Sequence, residues 1–224
     1  MQNFYNRNRQ LVWGVLVGVV SVYLISSVVV EKRLSELQSF LDSEIVQHEE
    51  YLKELASVTG RGGVNEHTSS VVRDCTPAQR KEFDTLLSSL DQGLSKSDLQ
   101  TLNNLFGRCG YVFANQRASM VGQLQQRVLL LEELEFQRTL LGNLKPEESK
   151  IEKWKELQEN ENELQNLFFT LVDVQGKIIE SLLAGQTTNS NPILSLREEA
   201  SEIQSKLGQV TTAASSLRSD LVLP

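Results

Sequence analysis

Apolar residues are arranged in three successive patterns along this chain. From Leu11 to Val30 it reads LVWGVLVGVVSVYLISSVVV, without one charged side chain. At about 1.5 Å per helical residue such a run extends about 30 Å, the hydrocarbon thickness of a bilayer. The pattern predicts a transmembrane helix over residues 11–30, behind a short tail, residues 1–10. A cleaved signal peptide fits less well, because its apolar core is only about 7–15 residues and ends at a small-x-small site. No A-x-A sequence follows this run. Within it Gly14 and Gly18 form a GxxxG pair, and Ser21 continues the same face. Small residues at that spacing let two helix backbones approach in lipid, so these three are the candidate transmembrane association face.

The second pattern is amphipathic. Over 31–58, Leu34, Leu37, Leu41, Ile45, His48, Leu52 and Leu55 recur at heptad-like steps, which predicts a helical stalk that could pair in parallel with a second copy. Periodicity then stops: TGRGGVNEHTSSVVRD, residues 59–74, gathers glycines and polar residues and reads as a flexible linker.

The third pattern, residues 75–224, is a series of capped helices. Thr76-Pro77-Ala78-Gln79 offers an N-cap, a proline at the first helical position and a glutamine three residues after the cap. Phe83, Leu86, Leu87 and Leu90 supply an apolar face that ends at Gly93. Ser95 to Asp98 opens a second helix, with Leu99, Leu102, Phe106, Cys109 and Phe113 at 3/4 spacing. The two helices form a hairpin turning near Gly93-Leu94. Cys75 and Cys109 lie at comparable distances on either side of that turn, so both thiols reach its open end and a Cys75–Cys109 disulfide is expected.

Beyond Phe113 the apolar positions continue through Met120, Leu124, Val128, Leu131, Leu134 and Leu141, with bends expected at Gly107 and Gly110. After the turn at Pro146 a further helix carries Trp154, Leu157, Glu161, Leu164, Phe168, Leu171, Gln175, Ile178 and Leu182. Leu167, Val172, Val174 and Ile179 broaden this face, which puts Glu161 and Gln175 at the edge of the seam; polar groups inside the seam would instead set register. Asn191-Pro192 starts the last helix, whose seam is Ile193, Leu196, Ala200, Ile203, Leu207, Val210, Ala214, Leu217 and Leu221. The expected fold is all-α: a single transmembrane helix, a helical stalk, a disulfide-stapled hairpin and a long antiparallel three-helix bundle resembling a coiled coil.

Charge and chemistry narrow the function. With 22 Lys and Arg against 29 Asp and Glu, the net charge of −7 and the lack of a basic cluster argue against nucleic acid as a partner. His48 follows Glu44 by four residues, yet His48-Glu49-Glu50-Tyr51 is not HExxH and no further ligand accompanies it. Glu132, Glu133 and Glu135 read as a solvated face. The sequence therefore offers no catalytic, metal or cofactor residue and no small-molecule substrate site, and an enzyme is not expected. Arg7 and Arg9 before the span and Lys32 and Arg33 after it give little orientation. The mass and both cysteines follow the span, favouring a cytoplasmic N-terminus and a periplasmic or extracellular C-terminal domain. The expected function is a membrane-anchored scaffold of the cell envelope acting through coiled-coil contacts with protein partners or itself. The alternative is an extracytoplasmic sensory or ligand-binding bundle signalling through a partner.

Overall fold

The computed structural model describes the backbone of residues 2–60, 75–142 and 148–222, and side chains over that range except at 2–18, 24–25, 59–60, 91, 113, 142, 148–149 and 222. Among the described residues six α-helices run in order: α1 Gln2–Gly60, α2 Pro77–Ser88, α3 Lys96–Leu105, α4 Val112–Gly142, α5 Glu148–Leu183 and α6 Asn191–Val222. No strand occurs among the described residues. The chain divides into two compact units, Met1–Gln47 with Glu133–Pro146, and His48–Glu132 with Glu147–Pro224.

Among the described residues no helix is long and apolar enough to cross a membrane. Much of the expected 11–30 span, Gly14 and Gly18 included, lies outside the described side chains, as does the 59–74 linker from Thr59 onward.

In the first unit, Leu41 and Ile45 of α1 are buried, and Asp42 lies 3.7 Å from Arg138 of α4. Glu135, expected on a solvated face, is buried instead and pairs with Arg138 at 2.8 Å.

The second unit is the helical bundle. Residues 48–58 of α1 belong to it. Leu52, Leu55 and Ala56 are buried, Tyr51 donates to Gln123 Oε1 at 3.2 Å, and Arg127 stacks over the Tyr51 ring at 4.2 Å. His48 Nε2 meets Arg127 Nη1 at 3.2 Å, and Glu49 pairs with Lys150 of α5. Leu52 and Leu55 are thus covered within the chain.

Local chemistry sets the turns of this unit. Thr76 and Gln79 cap α2 reciprocally: the Gln79 amide donates to Thr76 Oγ1 at 3.3 Å and the Thr76 amide to Gln79 Oε1 at 2.9 Å. A 3₁₀ turn, Leu90–Gln92, ends at Gly93, whose φ of 86° favours glycine. Ser95 caps α3 by accepting from the Asp98 amide. At the end of α5, Gln186 N–H donates to Ser181 O and Gly185 N–H to Leu182 O, a Schellman closure with Gly185 at φ 88°. Antiparallel packing follows: Glu132 of α4 pairs with Lys155 of α5 at 2.7 Å, and Lys153 of α5 with Asp220 of α6 at 3.0 Å.

Between α3 and α4 the helix widens into a π-helix, Phe106–Gly110. A wide turn takes one residue more than an α-turn, so the buried face skips a position. It runs Leu99, Leu102, Phe106 and Cys109, then Ala114, Arg117, Val121, Leu124, Val128 and Leu131. Of the expected α4 seam Leu124, Val128 and Leu131 are buried, while Met120, Leu134 and Leu141 are half-buried beside buried Val121 and Glu135. Phe113 lies outside the described side chains.

Candidate functional site

Two constellations stand out in the bundle, and neither resembles a catalytic site. The first surrounds the disulfide. Cys75 and Cys109 are joined with their Cα atoms 5.2 Å apart, and both are buried. Capping at Thr76 places Cys75 immediately before α2, while the π-helix turns Cys109 inward. Arg80 Nη1 donates to the Cys109 carbonyl at 2.9 Å, its Nε pairs with Asp84 at 3.1 Å, and its guanidinium lies 5.6 Å from the Phe83 ring centre. Phe83 meets Phe106 with ring centres 6.0 Å apart, Phe106 meets Tyr111 edge-on at 6.0 Å, and Tyr111 meets Phe169 at 6.4 Å. Such aromatic pairs add about 0.5–1.5 kcal/mol beyond area burial.

Gly176 of α5 makes room for this cluster: a Cβ there would lie 3.1 Å from Phe106 Cε1. Tyr111 donates to Asp173 Oδ1 at 2.5 Å. That hydrogen bond, with burial and the negative charges of Asp173 and Glu180, pushes the Tyr111 phenol up to about 12.

The second constellation corrects the expectation for Glu161. It does not lie at the seam's edge; its side chain is fully buried, with relative exposure of 0%. Arg117 Nη2 of α4 donates to Glu161 Oε2 at 2.7 Å, and Arg218 Nη2 of α6 donates to Oε1. One carboxylate on α5 thus joins three helices. Burial pulls the Arg117 guanidinium down to about 10; burial and then the positive charge of Arg117 do the same to Arg218. Both remain cations at neutral pH, so the cluster carries a net charge of +1. Arg117 also lies 5.3 Å from the Phe168 ring centre. The Nε atoms of both arginines, and the side-chain amide of buried Gln116, have no hydrogen-bond partner among the described residues.

The predicted α6 seam lies inward: Ile193, Ile203, Leu207, Ala214, Leu217 and Leu221 are buried, and Leu196, Ala200 and Val210 half-buried. Gln175 is half-buried. Ser21 is exposed, and His67 falls outside the described residues. No group of His, Cys, Asp and Glu able to hold a metal occurs among the described residues.

The sequence signalled the disulfide through its symmetry about the Gly93 turn. It gave no such signal for the ion cluster, because Arg117 and Arg218 look like surface residues until the π-turn and the α6 packing direct them inward.

Comparison with known proteins finds no family model, no curated protein and no solved structure that matches the chain.

Proposed function

We propose that this chain is a single-pass, membrane-anchored helical protein of the cell envelope that acts by contact with other proteins. In this reading residues 1–10 are cytoplasmic, 11–30 cross the bilayer, and the disulfide-stapled bundle stands on the oxidising side. One observation carries it: the described side chains of α1 between Val19 and Val30 include no charge, and Val19, Val22, Tyr23 and Val28 are 63–72% exposed. A helical stretch without charge that exposes such residues needs an apolar surrounding. The buried disulfide supports export, since such bonds persist in oxidising compartments. Phe136 and Leu140, one turn apart on α4, are exposed apolar groups of the kind that protein contacts cover.

A membrane-impermeant thiol reagent, applied to intact cells before and after reduction, tests the topology. Labelling of Cys75 and Cys109 only after reduction is the expected result. Free thiols reached only after lysis would place the bundle in the cytoplasm and end the proposal. Crosslinking in membranes then tests the mode of action: a protein that remains uncrosslinked and monomeric there would be no scaffold.

A further inference from the structure

The α6 seam is apolar at all nine of its heptad positions. Such a surface packs against nearly any complementary helix, including one from a second copy, and so discriminates poorly. On the facing α5 seam, Glu161 interrupts the apolar layers. We infer that Arg117, Glu161 and Arg218 form a specificity lock: they make the association of α4, α5 and α6 mutually conditional and bar other helices from the α5 seam.

The argument rests on how the carboxylate is shared. Its Oε2 is taken by Arg117 from α4 and its Oε1 by Arg218 from α6. A helix arriving without a guanidinium at that level leaves a charged oxygen buried and incompletely paired, which is strongly disfavoured. Displacing α6 along α5 by one heptad has the same effect, because Arg218 would then face Phe168 or the Trp154 layer.

The neighbouring layers on α5, at Trp154, Leu157 and Leu164, are fully buried and carry no charge. An apolar residue at 161 would continue them. Exchanging a buried ion cluster for apolar residues of similar volume is often neutral or stabilising, so selection among pairings is the gain that remains. This inference stands apart from the membrane reading, since all three residues lie in the bundle.

The test compares three full-length proteins in detergent micelles: wild type, Glu161→Leu, and the triple variant Arg117→Met, Glu161→Leu, Arg218→Leu. Thermal melting, light scattering and isoleucine methyl NMR are recorded on each. Glu161→Leu should melt below wild type, because two guanidiniums lose their counter-charge. The triple variant should melt at or above wild type yet show several methyl sets or a mixture of masses, where wild type shows one of each. Two results overturn the inference. A triple variant melting as low as the single one, or failing to fold, makes the cluster a stability element. A triple variant that melts high with one methyl set and the wild-type mass shows that the lock is unnecessary.

Discussion

Replacing both cysteines with alanine should free α2 without opening the rest of the bundle. The bridge closes a segment with a sequence separation of 34 between Cys75 and Cys109. On the chain-entropy account, closing a loop of that length contributes about 4 kcal/mol. The effect should be local, because α2 has only 12 residues and a helix that short is marginal alone. Its remaining ties include the Arg80 hydrogen bond to the Cys109 carbonyl and the packing of Phe83 on Phe106. By contrast α5 and α6 are held by apolar layers along their length and by the Glu161–Arg218 pair, none of which the bridge touches. Hydrogen exchange read by mass spectrometry resolves the two regions. Amides of residues 78–88 should lose roughly 10²–10³-fold of their protection in the double variant, at about 1.4 kcal/mol per factor of ten. Those of α5 and α6 should change by much less. Unchanged protection in α2 would refute the reasoning, as would an equal loss along α5 and α6, which would make the bridge a global element.

Three further outcomes are expected. Leu52→Ala should cost about 2–5 kcal/mol in denaturant unfolding, as a fully buried leucine does, whereas exposed Leu37→Ala should cost far less; equal small losses would detach residues 48–58 from the bundle. Gly176→Val should destabilise by about 1–3 kcal/mol, because its side chain must displace the Phe106 ring, and an unchanged melting curve would show that the ring yields freely. Tyr111 has its phenol raised from 10 to about 12, so it stabilises the fold fully below pH 10 and loses that contribution as pH rises towards 12. Unfolding of wild type and Tyr111→Phe compared across this window should show the wild-type advantage shrinking; a constant difference would remove the Asp173 bond as its source.

Much of this architecture was legible in the residues, for physical reasons. Thr76-Pro77-Ala78-Gln79 and Ser95 mark helix starts by chemistry that acts within one turn of chain, and Gly93 and Gly185 mark the reversals by backbone geometry open to few other residues. The α6 seam and the Cys75–Cys109 bridge follow from spacing alone. Errors arose where a helix's environment depends on distant chain. Leu52 and Leu55 carry the same pattern whether they meet α4 or a second copy, so the sequence could not assign residues 48–58. Glu161 sits at a heptad position beside a broad apolar face, and its burial is set by two arginines far away in sequence. Glu135 stands among glutamates that look solvated, and only the phase of α4 turns it inward.

That phase has a consequence for changes in chain length. The wide turn at Phe106–Gly110 works as an indexing step between α3 and everything beyond it. Deleting one residue there restores ordinary helical pitch and leaves α4 in phase with α3, whereas deleting one within α4, between Arg117 and Val121, would spin the rest of that helix by about 100°. In the second case Val121, Leu124, Val128 and Leu131 would swing out of the core together. The polar loop 186–189, which ties no buried side chain to a helical phase, can gain or lose a residue with no such rotation. The wide turn and the surface loop thus each tolerate a one-residue deletion, one by reverting to ordinary pitch and the other by shortening, whereas the same loss inside α4 puts the rest of the helix out of gear.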